Sequence, residues 1–265
     1  MESTQLLIAF IAPLLLATFT WIISVIKHDV SIVDTTWSLM ILASGISYFT
    51  FNPGQSIASK IILALLIVWA ARLAIYITWR NHGKGEDRRY TQIREKYSPH
   101  FAIKSLGIIF IFQAIVAWII ALPLWPALTI DQAFNWLSYL AMLLVITGIL
   151  FETIADHQLA AFKRDTSNTS KVLRSGLWRY SRHPNYFGEC LVWWGFFFFS
   201  AAAGYWWTII SPLLMTWLLL KFSGVTMLEE GIEERRPEYR DYIETTSVFI
   251  PLPPKSPTKP VATRG

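Results

Sequence analysis

The sequence is poor in charge and almost without cysteine. Only 15% of its 265 residues are Asp, Glu, Lys or Arg, against about 25% in a typical soluble domain. Hydrophobic residues make up 54% of the chain. This composition excludes a soluble enzyme and an extended disordered chain. The one cysteine, Cys190, cannot close an intrachain bridge, which excludes a disulfide-stapled scaffold.

The motifs of several common sites are also missing. The five histidines lie far apart with no HExxH pattern, so we expect no bound metal. Gly83-Lys84-Gly85 lacks the third glycine of a dinucleotide-binding fingerprint, and no strand-helix-strand pattern surrounds it. There is no P-loop and no G-x-S-x-G serine motif. A Rossmann-type nucleotide site and a serine hydrolase are therefore not predicted.

Long apolar runs dominate the sequence. Read in windows of about 20 residues, the length that crosses a bilayer as a helix, they predict an all-α polytopic membrane protein with seven spans. A single domain over residues 1–250 and a Pro-rich, disordered tail over 251–265 complete the expected organisation. The seven predicted spans are 5–26, 32–51, 61–79, 106–125, 135–155, 186–202 and 206–226.

The basic residues fall between these runs, in alternate loops. Residues 80–104 and 163–182 carry most of them, and the C-terminal segment carries more, whereas the loops near 126–134 and 202–206 carry none. Because cytoplasmic loops retain Lys and Arg, we expect the N-terminus outside and the C-terminus in the cytoplasm, in the inner (cytoplasmic) membrane of the cell. The net charge of +5 then belongs to membrane topology, and no nucleic-acid partner is expected.

Ionisable residues cluster at the expected cytoplasmic ends of the spans. Glu152 and Asp156 are four residues apart and share a helix face, as do Asn185 and Glu189. Charged groups at membrane depth are costly and usually mark a substrate, ion or proton site. Paired carboxylates can perform acid–base chemistry or can hold the hydroxyl and amide groups of a polar cofactor. Lys221 can equally extend to the membrane surface.

The loop between the fifth and sixth spans suits a phosphate-bearing ligand. Its guanidinium groups can bind phosphate oxygens in pairs, and the interleaved Trp178 and Tyr180 can stack on a base. The alternative is an ordinary positive loop, which explains the charge but not the run Arg182-His183-Pro184-Asn185-Tyr186 entering a helix. The six basic residues of the loop are Lys163, Arg164, Lys171, Arg174, Arg179 and Arg182.

The sequence from Gly176 to Glu189, GLWRYSRHPNYFGE, resembles the C-terminal signature of the steroid 5-alpha-reductase superfamily. That superfamily includes sterol C14 and C7 reductases and, more distantly, isoprenylcysteine carboxyl methyltransferases. Residues 236–242 with 249–251, Asp34-Thr35-Thr36-Trp37, and residues 85–90 resemble a bacterial branch of it. The resemblance spans most of the chain, but its strongest motif is shared by reductases and methyltransferases.

The resemblance implies that NADPH binds between membrane helices. It also implies a steroid or other lipid enone as the substrate, which would enter from the bilayer. We expect the protein to be a monomer. Asp34, Arg72 and Tyr76 are the implied catalytic residues. Asp34 stands nearest the family's proton-donating Glu, and Tyr76 lies two turns beyond Trp69, which falls where the family has a Tyr. If Asp34 is not the donor, the alternative is that it caps the second span. The residues implied to bind the cofactor are Arg80, Asp87, Arg89, Glu152, Asp156, Arg164, Lys171, Arg179, Arg182, His183, Asn185, Glu189 and Glu230.

Two other classes of function stay open at this point. A methyltransferase would bind S-adenosylmethionine and modify a lipid-linked substrate. That cofactor has no phosphate, so the many loop cations favour NADPH. A non-catalytic membrane scaffold would bind neither. The expected activity is therefore an NADPH-dependent reductase, acting at the 4,5 double bond of a 3-oxo-4-ene steroid or a similar lipid.

Overall fold

A computed structural model of the protein describes residues 2–52, 56–131, 133–222, 225, 229 and 232–256. Every regular element in these ranges is helical. The helices are α1 Glu2–Lys27, α2 Ile32–Thr50, α3 Ile57–Asn81, α4 Arg88–Lys96, α5 Phe101–Ile120, α6 Leu124–Thr129, α7 Trp136–Arg164, α8 Pro184–Ala202, α9 Trp206–Lys221, α10 Ile232–Arg235 and α11 Tyr239–Thr245.

Five described helices are long and apolar enough to cross a membrane, namely α1, α2, α3, α5 and α7. They coincide with the first five predicted spans, and the all-α, multi-pass class is confirmed at this level. The fourth span begins earlier than predicted, at Phe101, and ends at Ile120, because the chain turns before Pro123 and starts α6. The sixth predicted span, 186–202, overlaps α8. The seventh, 206–226, overlaps α9 over residues 206–221, and residues 223, 224 and 226 lie outside the described part. The polar Asn185 and Glu189 open α8, and α9 is shorter than the five spans.

The chain divides into two compact units. The first comprises residues 1–145 and 193–213, and the second comprises residues 146–192 and 214–265. Helices α7, α8 and α9 each contribute to both. The sequence predicts one domain, and the structure groups its packing into these two units.

Small polar side chains connect the helices of the first unit. The buried Ser38 of α2 donates to the carbonyl of Ala70 in α3 at 3.0 Å, and Ser44 of α2 donates to the carbonyl of Ala9 in α1 at 3.0 Å. Such bonds join membrane helices that have no hydrophobic force drawing them together. Deeper in the unit, the indole rings of Trp69 and Trp193 pack edge to face with centroids 5.1 Å apart. Trp69, which falls where the family has a Tyr, is thus a fully buried packing residue.

A close helix crossing organises the second unit. Gly148 of α7 lies against Gly188 of α8, and a Cβ on Gly148 would meet the Gly188 carbonyl oxygen at 2.6 Å. A Cβ on Gly188 would meet the Glu152 amide nitrogen at 2.8 Å. Glycine at both positions therefore lets the two backbones approach. The crossing brings the acidic end of α7 beside the first turns of α8.

The C-terminal segment of the second unit folds back onto residues 178–182. The Arg182 amide donates to the Ser247 carbonyl at 2.9 Å, and the Leu252 amide donates to the Tyr180 carbonyl at 3.0 Å. The Lys255 amide donates to the Thr245 carbonyl at 2.8 Å. The chain predicted to be disordered from residue 251 is therefore hydrogen-bonded as far as Lys255. Residues 257–265 lie outside the described part.

Candidate functional site

The residues predicted for the site fall into two groups, one in each compact unit. The first unit contains Asp34, Arg72, Tyr76, Arg80, Asp87 and Arg89, and the second contains Glu152, Asp156, Arg164, Lys171, Arg179, Arg182, His183, Asn185 and Glu189. Glu230 lies outside the described residues.

Asp34, in the first turn of α2, is the centre of the first group. Its Oδ1 accepts a hydrogen bond from the Tyr90 hydroxyl at 2.5 Å, and its Oδ2 accepts one from Arg89 Nη2 at 2.8 Å. Gln113 Nε2 donates to the Tyr90 hydroxyl oxygen at 3.3 Å. The phenol of Tyr90 thus lies between a carboxylate and an amide donor.

The start of α4 explains why Arg89 and Tyr90 meet Asp34. Asp87 is the N-cap of α4, and its carboxylate accepts from the Arg89 amide and from Arg89 Nε, both at 3.0 Å. An N-cap carboxylate satisfies an amide that the helix leaves without a partner. It therefore fixes the first turn of α4, in which Arg89 and Tyr90 lie.

The surroundings of Tyr90 and Arg89 shift the pKa values of both side chains. Tyr90 is 7% exposed, and burial, the charge of Asp34 and its hydrogen bond to Asp34 hold the pKa of the phenol well above its ordinary value. Burial alone would lower the pKa of Arg89, but hydrogen bonding to Asp87 and the charge of Asp34 outweigh it and raise that pKa. Tyr90 is consequently a protonated acid across the physiological range.

The structure corrects one expectation about Asp34. The alternative that Asp34 caps α2 is wrong, because the N-cap is Ser31 and Asp34 lies inside the helix, bonded to other elements. The tyrosine whose hydroxyl donates to Asp34 is Tyr90. Tyr76 packs beside Trp79 and Arg80 on α3, with its ring centroid 6.2 Å from that of Trp79. Arg72 is half-buried on the same helix.

Sequence reasoning missed Tyr90 and Gln113. Tyr90 belongs to the run of residues 85–90 that carried part of the family resemblance, and the signal available was its place just after the capping residue Asp87. No local pattern pointed to Gln113, because its bond to Tyr90 spans 23 positions between separate helices.

The second group contains a buried acidic cluster at the α7–α8 crossing. Glu152, Asp156 and Glu189 are each 5% exposed or less. Asn185 Nδ2 donates to Asp156 Oδ1 at 3.3 Å, so the two polar faces that the four-residue spacings predicted do meet. Carboxylate and amide oxygens in this setting are acceptors for ligand hydroxyl and amide groups.

Arg182 was predicted to contact a phosphate, but in the structure its guanidinium is hydrogen-bonded within the protein. Its buried guanidinium donates through Nε and Nη2 to Glu229, at 2.7 and 3.0 Å, and through Nη1 to the carbonyls of Ile243 and Thr246. His183 Nε2 lies 2.9 Å from the same carboxylate. Burial would raise the pKa of Glu229, but hydrogen bonds from His183 and Arg182 outweigh it and lower that pKa to about 2. The charge of Arg182 is thus used to hold the C-terminal segment.

The other predicted phosphate ligands lie at the surface. Arg164, Lys171 and Arg179 are exposed. Lys171 Nζ donates to Asn168 Oδ1 at 3.3 Å, an exposed contact that a ligand could replace. Residues Leu177 and Trp178 anchor this loop to α7, since the Leu177 amide donates to Gln158 Oε1 and the Trp178 indole donates to the Ala155 carbonyl. Exposed cations therefore adjoin an anchored loop.

Among the described residues no group of three His, Cys, Asp or Glu side chains could hold a metal ion. The residues that do cluster are carboxylates, amides and cations. This donor set fits a nucleotide cofactor, with acceptors for its hydroxyl and amide groups and cations for its phosphates.

In the part of the chain that the structure describes, every regular element is helical and five helices are apolar and long enough to cross a membrane. These features define the class of a polytopic membrane protein. A family model described as "Protein of unknown function (DUF1295)" matches residues 20–246, and the chain belongs to that family. A relative in Schizosaccharomyces pombe, described as an uncharacterized protein, is 28% identical, and the match covers 94% of this chain and 80% of the relative. No solved structure matches the chain.

Proposed function

We propose that the protein is an NADPH-dependent reductase of a lipid enone, with a 3-oxo-4-ene steroid as the model substrate. The observation that carries this proposal is the hydrogen bond from the buried Tyr90 phenol to the Asp34 carboxylate. The family resemblance of residues 176–189 and the buried acceptors at the α7–α8 crossing support it further.

The pair Asp34 and Tyr90 fits the acid that such a reduction needs. When bound, NADPH supplies the hydride. Hydride addition to the β-carbon of an enone places negative charge on its carbonyl oxygen, and an acid in a dry site must meet that charge. The Tyr90 hydroxyl carries one proton, which it donates to Asp34 in this structure. In the proposed reaction that O–H would turn from Asp34 to the substrate oxygen and pass its proton there, while Arg89 stabilises the Asp34 carboxylate.

In the second unit, this chain's own residues would bind the cofactor. Glu152, Asp156, Asn185 and Glu189 would accept from or donate to its hydroxyl and amide groups. The exposed cations of the loop would bind its phosphates. The predicted cofactor contacts of His183 and Glu230 belong to the same proposal. The bonds of Arg182 to Glu229 remove Arg182 from the residues proposed to bind phosphate.

The proposal includes seven crossings of the inner (cytoplasmic) membrane of the cell, with α8 and α9 completing the five longer spans. The cation-rich loops 80–104 and 163–182 would then face the cytoplasm, where the cofactor is available. Cysteine-accessibility labelling tests the topology. Single cysteines at the exposed Lys84 and Lys171 should react only from the cytoplasmic side, and labelling from outside would contradict this orientation.

A methyltransferase using S-adenosylmethionine is the second candidate. One observation favours it: Arg182, from the strongest family motif, is committed to Glu229, which leaves fewer cations for phosphates than the sequence suggested. The buried carboxylates would also suit the positive charges of that cofactor.

Thermal unfolding of the full chain in detergent separates the candidates. A ligand at about 100 times its Kd stabilises the folded state by about 2.7 kcal/mol. We expect NADPH to raise the unfolding midpoint and S-adenosylmethionine to leave it unchanged, followed by consumption of NADPH when a 3-oxo-4-ene steroid is added. Stabilisation by S-adenosylmethionine alone would establish the second candidate, and stabilisation by neither would indicate a non-catalytic protein.

A further inference from the structure

A crevice in the first unit lies where α1 ends, α4 passes and α5 begins. Its volume is about 60 Å³, which is room for about four waters or for one phosphate group. None of its lining residues belongs to the Asp34 group or to the predicted cofactor site. They include Ser24, Val25, His28, Arg94, Phe101 and Ala102.

One wall of the crevice carries the Arg94 guanidinium, which forms an ion pair with Glu86. The guanidinium of Arg94 lies over the ring of Phe101, 4.6 Å from its centroid. Glu86 accepts from Arg94 Nε and Nη2 at 2.9 and 2.7 Å, and the His28 carbonyl lies 3.4 Å from Nη2. In the described chain, the hydrogen bonds of Arg94 use only these two nitrogens, so Nη1 can donate to an anion.

The other wall continues into an exposed apolar stripe. On α1, Val25 is 36% exposed and its neighbour Ile26 is 72% exposed, and the stripe runs back along the helix through Ile22 and Phe19. Trp21 fastens this wall to α5, since its indole donates to the Ala102 carbonyl at 2.8 Å. The acyl chain of a lipid would cover this apolar stripe, whereas a free phosphate ion would leave it exposed.

The surface around the crevice has an excess of positive charge. Residues 82–104 contain six Lys or Arg and three Asp or Glu. The acids Glu86 and Asp87 already form ion pairs with Arg94 and Arg89. The remaining basic residues, Lys84, Arg88, Lys96 and Lys104, are exposed.

We propose that this crevice binds the headgroup phosphate of an anionic membrane phospholipid, whose acyl chain lies along the α1 stripe. Arg94 donates to the phosphate through Nη1, and the basic segment favours a headgroup with net negative charge. A zwitterionic headgroup carries its own cation, which the basic segment would repel. This site is independent of the proposed reductase activity, because it shares no residue with that site.

Native mass spectrometry of the full chain in a nonionic detergent tests the proposal. The probes are phosphatidylglycerol and phosphatidylcholine with identical acyl chains. The wild-type protein should retain phosphatidylglycerol in preference. Arg94→Gln should lower the lipid-bound population about tenfold, as expected for loss of one charge-assisted hydrogen bond.

The matched control is Arg88→Gln, which removes the same charge from the same helix outside the crevice and should lower retention much less than Arg94→Gln does. Ala102→Leu fills the crevice without altering any charge, and it should lower retention at least as much as Arg94→Gln does. If Arg94→Gln does not fold, lipid retention by Ala102→Leu tests the proposal in its place. Equal retention of both lipids, equal losses in Arg94→Gln and Arg88→Gln, or displacement of the lipid by inorganic phosphate would each overturn the assignment.

Discussion

At the residue scale, the first unit pairs a carboxylate with a protonated phenol. Asp34 accepts from both Tyr90 and Arg89, and Gln113 donates to the phenol oxygen. The group joins three helices, because Asp34 lies on α2, Arg89 and Tyr90 lie on α4 and Gln113 lies on α5, so it is held by tertiary packing. A substitution here changes hydrogen bonding within a few ångströms and leaves the helices intact.

Asp34→Asn should lower turnover of a 3-oxo-4-ene steroid by a factor of about 10² while leaving NADPH affinity nearly unchanged, because it weakens the group that orients the acid. Tyr90→Phe should lose at least as much activity. Tyr76→Phe is the control, since Tyr76 packs on Trp79 and Arg80, and it should retain activity. Steady-state rates and equilibrium NADPH binding measure both effects. Full activity in Tyr90→Phe would remove Tyr90 as the acid.

In the second unit, the buried Arg182 stabilises the fold, whereas the exposed Arg164 is proposed to bind the cofactor. Arg182→Ala removes the two guanidinium hydrogen bonds of Glu229 and one hydrogen bond each from the Ile243 and Thr246 carbonyls. Breaking a buried ion pair costs about 3–5 kcal/mol, so we expect a large drop in unfolding free energy. Arg164→Ala removes an exposed charge, and it should weaken NADPH binding with little loss of stability. Thermal unfolding with and without NADPH measures both quantities. The assignment fails if Arg182→Ala unfolds like the wild type.

At the element scale, the α7–α8 crossing positions the acidic cluster. Gly148 and Gly188 allow the helices to approach closely enough for Asn185 to reach Asp156. The four-residue spacing of the acids was visible in the sequence. The glycine contact was not, because it depends on which helices pack together.

Gly188→Ala should destabilise the protein by about 1–3 kcal/mol, as overpacking typically does, because its Cβ would lie 2.8 Å from backbone atoms of α7. Gly107→Ala is the matched control. Its Cβ would meet nothing within 4 Å, and replacing a helical glycine with alanine is neutral or stabilising. Chemical denaturation in detergent compares the two. Equal effects would mean that the crossing tolerates a methyl group.

At the scale of the whole molecule, the sequence predicted the architecture better than the site. Long apolar runs locate membrane helices because backbone groups must bond internally in lipid, which makes the signal local. The apolar signal fades in α8, where Asn185 and Glu189 interrupt it. Site residues such as Gln113 and Glu229 act through distant partners. Arg182 looked like a phosphate ligand because the carboxylate that neutralises it lies 47 positions later.

The contact between residues 178–182 and the C-terminal segment should weaken in acid. The pKa of Glu229 is lowered to about 2 from its ordinary 4.5, so its contribution to stability is complete above pH 4.5 and is lost as the pH falls toward 2. The protection of the Arg182 amide, which donates to Ser247, against hydrogen exchange, taken relative to the intrinsic exchange rate at each pH, should fall over this range. Glu229→Gln should exchange faster at neutral pH and lose most of this pH dependence. A wild-type rate with no acid-induced opening would contradict the role of Glu229.

The bonds of Arg182 also constrain the order in which the chain can mature. A guanidinium placed in a protein interior needs its acceptors, and those of Arg182 come from Glu229, Ile243 and Thr246. During synthesis, residues 176–189 are made well before these acceptors exist. The loop at the start of α8 must therefore stay hydrated or be shielded by other factors until Thr246 has been added. Truncations that end before this residue should produce a chain whose helices insert but whose second unit never closes.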